Sequence, residues 1–461
     1  MGAKAAEASP KFLLIVFLTT LLLPIFFHVG DLRLSPYRVF LLVAFIPLLL
    51  RLLSGGAGRV AFGDLFMGLH CLWIGVALFA NHGAERLPFI GITVVELFGG
   101  YLAGRVLIRS ASDYRAFFRY FAVALLVLMP FAVFEMLTGR MLISEILEPI
   151  AFTFPKVLMG DMRMGFHRAQ GVFEHSILWG VFCSVAIANL FYIYRESLAK
   201  RLFSSGLATG MTFTSLSAAP LQSVTLQFAM IGWGWMTRNA WWTLVILAAV
   251  GYVVIDALSS RTPVTIMIDY LTFDAHNAWI RIHIWNFGTA EVWRNPIFGI
   301  GLGDWQRPSW LLGSVDNFWL VVAMRYGLPG FLLLALAITM NLFSIIRQSL
   351  PDEIVHYRRA HVIAAVGLFM TLGTVHVWGA TSVFVMFYIG AGSWLFSGTA
   401  VAAPPAEEAR EPRRAHARRQ GDASREREVP AEGSRDLYRR SGRDPEARLA
   451  RRRAAYGRRR L

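Results

Sequence analysis

An all-α polytopic membrane protein is the fold class this sequence predicts. Of its 461 residues 56% are hydrophobic and only 16% charged, and the mean hydropathy is +0.50. A soluble domain carries about 25% charged residues. Apolar runs near the ~20 residues that cross a bilayer recur along the chain. They are apolar all round, whereas a β-barrel would show short alternating segments.

The first run, 12–30, follows Lys11 and has no small-residue cleavage site, so it is expected as a retained helix rather than a signal peptide. Runs at 36–53, 61–80, 88–108, 117–137 and 171–194 follow. The pair 203–218 and 221–236 is less clearly marked, and 240–258, 318–346, 360–378 and 381–398 bring the number to twelve. Cys71 and Cys183 both lie in these runs, which implies neither a disulfide framework nor a cysteine metal site.

Lys and Arg concentrate in cytoplasmic connections. Placing the N-terminus inside puts Arg51 and Arg59, then Arg105 to Arg119, then Arg195 to Arg201, Arg238, and Arg347 to Arg359 on the inner face. Both termini are then cytoplasmic. Two long connections, 138–170 and 259–315, face outward although they carry Arg140, Lys156, Arg163 and Arg168 in one and Arg261, Arg281, Arg294 and Arg307 in the other. Long loops translocate regardless of such charge. An anionic ligand is one reason for cations on that side.

The composition changes at 402. The segment 402–461 has 18 arginines against 10 acidic residues, which leaves +8 of the chain's +15, and it has almost no large aliphatic residues. It is expected to be a disordered cytoplasmic tail on residues 1–401. Anionic lipid headgroups suit its charge, and a protein partner is the other use. Nucleic acid is not expected, since no folded recognition module accompanies the arginines.

The densest polar cluster lies at 274–317. Arg281, His283 and Trp285 sit in an apparent amphipathic helix, with Arg281 and Trp285 four apart on one face. Asn295-Pro296 breaks it, and Gly299, Gly301 and Gly303 then offer approachable backbone N–H groups. The other outer loop ends in RMGFHRAQGVFEHSILWG, 163–180, with Arg163 and Arg168 near the membrane surface and Glu174 and His175 at the mouth of the next helix. Glu174 and His175 either satisfy each other or face a ligand.

In the stretch GSVDNFWLVVAMRYGLPG, 313–330, Asp316, Asn317 and Arg325 stand at or inside a membrane helix, where ionisable residues are costly and functional by default. Asp316 and Asn317 are expected to cap the helix at a cavity mouth. Nine helical steps put Arg325 on the opposite face from Asp316, about 13 Å deeper, unless Gly327 and Pro329 break the helix.

Taken together, Arg168-Ala-Gln-Gly171-Val-Phe173-Glu-His175, the hydroxyl-rich TFTSLSAAP at 212–220 read as a small helix, Arg281 to Trp285, NPIFGIG at 295–301 and DNFWLVVAMRYGLPG at 316–330 resemble the O-antigen ligase and O-antigen polymerase superfamily of bacterial envelope enzymes. The resemblance spans roughly 12–398, and its specific motifs lie in 160–330. It implies a multi-pass inner-membrane enzyme that performs metal-independent, inverting glycosyl transfer at the outer face, without a cofactor. The donor it implies is an oligosaccharide on undecaprenyl diphosphate, attacked at its anomeric carbon by an acceptor sugar hydroxyl. Such chemistry needs cations on the leaving diphosphate and a base for the acceptor proton.

The guanidinium fork binds phosphate oxygens two at a time and stays charged. Arg168 and Arg281 are the leading clamps, with Arg163 and Arg325 behind them, and Asp316 is the third catalytic candidate. Glu174, His175 and Asn317 are expected at the substrate. Ligases of this superfamily place a histidine, proposed as the base, at the position Asp316 holds here. Asp316 could act as base, cap or sugar ligand, and His276-Asn277 is a weak substitute pair.

This departure favours a polymerase of exopolysaccharide or O-antigen repeat units over a ligase acting on lipid A core. A lipid-linked sugar transporter is the reading from another class, although the polar residues cluster on the outer face and midplane charges such as Glu96 are few. A scaffold for capsule assembly is a third. Membrane lipids and a chain-length regulator are the remaining expected partners.

Overall fold

The computed structural model describes residues 10–30, 32–155, 162–238, 240–260, 266 and 275–397. The chain divides into units Met1–Ala402 and Ala403–Leu461, and every described residue belongs to the first. The arginine-rich segment 402–461, Lys156, Arg261 and the side chains of His276 and Asn277 lie outside the described residues.

Of the described residues, 73% are helical. Each of the twelve apolar runs contains a helix: α1 (Pro10–Leu22), α2 (Pro36–Leu53), α3 (Phe62–His82), α4 (Leu87–Leu107), α5 (Ala111–Thr138), then α7 (Ser176–Ile193), α8 (Leu198–Thr214), α9 (Ala218–Met236), α10 (Trp241–Leu258), α12 (Phe318–Arg347), α13 (Asp352–Leu372) and α14 (Gly379–Ala391). The two long connections hold α6 (Leu142–Leu147) and α11 (Ala275–Arg294). Among the described residues seven helices are long and apolar enough to cross a membrane, namely α2, α3, α4, α5, α7, α10 and α12.

The all-α expectation is corrected in one place. The run 12–30 is helical only to Leu22, because the residue before a proline is held out of the helical region and Pro24 follows. Beyond it Ile25–Val29 forms β1, which pairs antiparallel with β2 (Leu32–Leu34) and β3 (Phe152–Thr153) in the order β2-β1-β3. This small sheet carries Arg33, whose guanidinium lies 4.0 Å from the ring centre of Phe26 and 4.8 Å from that of Phe154.

The core is built around α7, of which nearly every residue is buried, and which packs against α5, α8, α9, α13 and α14. Between α4 and α14 the backbones nearly touch. A Cβ on Gly104 would lie 2.0 Å from the Phe387 carbonyl, and one on Gly390 would lie 2.3 Å from that of Tyr101. Small residues permit such contacts where apolar burial supplies no drive between helices. Below this seam Asp64 and Arg105 form a fully buried ion pair at 3.0 Å, with Tyr101 donating to Asp64 at 2.6 Å. In contrast α10 has no buried residue, so its apolar surface faces outward all round.

Helix α12 is broken where the sequence allowed for it. Gly327 is left-handed at φ 70°, and Pro329 has no N–H to give the Arg325 carbonyl. The freed carbonyls find other donors, as buried backbone must. The Ile300 N–H donates to Met324 at 2.8 Å, the Gly301 N–H to Arg325 at 3.0 Å, and the Trp73 indole to Tyr326 at 2.8 Å.

Candidate functional site

The first long connection is fastened before it delivers its arginines. Glu135, buried near the end of α5, accepts from the backbone N–H groups of Gln170 and Gly171 at 2.9 and 3.0 Å. The Ala169 N–H donates to the Thr214 carbonyl at 3.0 Å. The stretch TFTSLSAAP is not one small helix: Thr212–Thr214 end α8, Ala218–Pro220 begin α9, and Ser215–Ser217 turn between them with Leu216 at φ 44°. That turn holds both guanidinium groups. Arg163 donates to the Leu216 carbonyl at 3.0 Å, and Arg168 to the Ser217 hydroxyl at 2.9 Å.

The second long connection brings α11 against the first half of α12. Arg281, Trp285, Asp316 and Asn317 line one narrow cleft, as the four-residue spacing of Arg281 and Trp285 anticipates. Asn317 alone caps α12, its side chain accepting from the Leu320 N–H at 3.0 Å. Asp316 stands one residue before the cap, so its carboxylate faces the site. The glycine turn does not present its amides to a ligand as expected, since the Ile300 and Gly301 N–H groups serve the broken helix.

These segments enclose a cavity of about 990 Å³ lined by Arg163, Arg168, His175, Arg281, Asp316 and Arg325. Six of the eight expected site residues therefore meet in one space. Burial raises the Asp316 pKa above the usual carboxylate range, and the nearby cations of Arg281 and Arg168 oppose the rise. Burial lowers that of Arg281, Asp316 raises it, and Arg163 lowers it again. His175 is pushed down to about 4 by burial, then by Arg168 and Arg163. Its Nδ1 accepts from the Ile177 N–H at 3.1 Å, which leaves the ring proton of the neutral imidazole on Nε2.

Glu174 turns away from His175. It pairs with Arg33 at 2.9 Å and lines a second cavity of about 730 Å³ with Arg38, Glu96 and Arg86. Of the two alternatives, the Glu174–His175 pairing is not formed; Glu174 instead makes an ion pair with a distant segment of the chain, because successive residues at a helix entry point in different directions. Glu96 is matched by Arg38 at 2.7 Å and by the Tyr37 hydroxyl at 3.0 Å.

Not every loop arginine is part of the site. Arg140 pairs with Glu145, Arg294 with Glu291 and Arg307 with Asp304. Three further residues have structural importance that no local pattern announces: Glu135 beneath the Arg168 loop, Arg33 on the sheet, and His376 between α13 and α14, which lines both cavities. Among the described residues no three His, Cys, Asp or Glu side chains group as a metal set would.

Compared with known proteins, the chain matches no family model and no curated protein.

Proposed function

We propose that this chain is a membrane glycosyltransferase that polymerises oligosaccharide repeat units carried on undecaprenyl diphosphate, at the outer face of a bacterial cytoplasmic membrane. One observation supports this reading above the rest: Arg163, Arg168, Arg281 and Arg325, from three separate segments, line one cavity. Four guanidinium groups match the charge that grows on a departing lipid diphosphate, where preorganised cations count most. Arg168 and Arg281 clamp the diphosphate, and Arg163 and Arg325 complete its surround. Asp316 orients Arg281 from the facing segment, while His175 and Asn317 offer hydrogen bonds to sugar hydroxyls. Asp316 at the place where related ligases carry histidine favours polymerisation over transfer to lipid A core.

The test uses purified protein in detergent with an undecaprenyl-diphosphate-linked repeat unit, comparing wild type with Arg281→Ala and Asp316→Asn. The expected result is a ladder of longer lipid-linked glycans, lost with Arg281→Ala and weakened with Asp316→Asn. Transfer to lipid A core instead of a ladder means a ligase. Movement of the lipid across proteoliposomes with no transfer overturns the enzyme.

A further inference from the structure

A glycosyl polymerase needs two substrates in contact, and the two cavities share a wall. Val321, Arg325, His376 and Trp378 line both. The larger cavity has a clear excess of cations. In the smaller one Arg33 is matched by Glu174 and Arg38 by Glu96, so its lining is close to charge-balanced. Paired carboxylates and guanidinium groups suit sugar hydroxyls, which need both acceptors and donors. On the proposed reading the diphosphate-bearing donor fills the larger cavity and the acceptor sugar the smaller, and the proton leaves where they meet.

Four titratable groups on the larger cavity carry lone pairs that could take that proton, namely His175, Asp304, Asp316 and His376. Asp304 is held by Arg307 at the exposed rim. His175 uses its Nδ1 lone pair on the Ile177 N–H and so presents a donor. Asp316 lies under the charges of Arg281 and Arg168 and does not reach the smaller cavity. His376 is different: its ring lines both spaces, and because its Nδ1 is buried out of their reach with no hydrogen-bond partner, Nε2 is the nitrogen it offers to a substrate. The loop that carries it is fixed, since the Phe318 N–H donates to the Val375 carbonyl at 3.1 Å and the imidazole stacks on the Phe318 ring at 6.3 Å.

We infer that His376 is the general base of the transfer, standing on the shared wall between the acceptor sugar and the donor. The acceptor oxygen forms its bond to the anomeric carbon, and the carbon–oxygen bond to the diphosphate breaks. That electron pair leaves on the lipid diphosphate, and the acceptor's proton passes to the neutral imidazole, which later releases it to water. Burial and the Arg325 cation hold the imidazole neutral, its pKa pushed down to about 3. A diphosphate docked on Arg325 offsets that cation's smaller share of the shift, so the base strengthens when the donor is in place.

This inference rests on the transferase reading, and the test separates the two. Ladder formation is measured for wild type, His376→Gln and His376→Ala, with kcat and KM for the lipid-linked repeat unit, and with added imidazole. The expected result is a kcat loss of about 10²- to 10⁴-fold in both variants, a nearly unchanged KM, and partial rescue of His376→Ala by imidazole. Normal kcat in His376→Gln overturns the base while leaving the transferase intact. A low kcat with no imidazole rescue, in variants that melt well below wild type, assigns His376 a packing role and also overturns it. Absence of any transfer by wild type removes both.

Discussion

The Gly301 N–H donates to the carbonyl of Arg325 at 3.0 Å. This bond explains how a cation is held within a membrane helix without loss of the backbone around it. Pro329 removes the donor that the Arg325 carbonyl would have in a continuous helix, and a glycine of the second long connection replaces it. The same loop thereby fixes the segment that presents Arg325 to both cavities.

Gly301 sits at φ 59°, and a Cβ there would lie 2.4 Å from Nε2 of His82. Gly301→Val is expected to cost at least about 1–3 kcal/mol from the left-handed conformation alone. Thermal unfolding in detergent should show a lower midpoint, and the Arg325 region should lose protection in amide hydrogen exchange.

Replacing Arg281 by lysine tests whether the site needs a fork or a charge. Lysine keeps the charge but not the two parallel donors, and a charged hydrogen bond contributes about 1.5–3 kcal/mol. Arg281→Lys should therefore lower kcat/KM by about 10- to 100-fold, with Arg281→Ala lower still. Equal activity in Arg281→Lys and wild type would show that only net charge matters.

His175 gives the site an acid limit. Its pKa is about 4 in the fold against an ordinary 6.5, so the unfolded chain binds the proton first as pH falls. Its contribution to stability is intact above about 6.5, declines as pH falls toward 4, and is fully lost below that. Arg163 and Arg168 are the charges that face it. Stability followed by denaturation from pH 7 to 4 should fall less steeply in His175→Asn, which keeps an N-cap side chain while removing the titration.

Asp64 and Arg105 carry a penalty of a different kind. Both side chains are nearly inaccessible, at 2% and 1% exposure. Asp64→Ala alone should cost about 3–5 kcal/mol by leaving a buried guanidinium unmatched. The double change Asp64→Leu with Arg105→Met should recover most of that loss in the same unfolding assay.

Hydropathy and loop charge, read along the chain, determined that this protein is helical and apolar enough for a membrane, roughly where the twelve apolar helices lie, and which two long connections hold the arginines. Gly327 and Pro329 likewise marked the break in α12, because a missing Cβ and a missing N–H act on their own neighbours. Only the tertiary structure separated Arg163, Arg168, Arg281 and Arg325, which line the cavity, from Arg140, Arg294 and Arg307, which are matched within their own loops. It alone parted Glu174 from His175 and brought Arg33 to Glu174 across 141 residues of chain. Nothing near His376 in sequence announces it, since the wall it stands on is made by helices that meet only when folded. A helix follows from interactions a few residues apart, whereas a cavity is bounded by residues that share only a place in space.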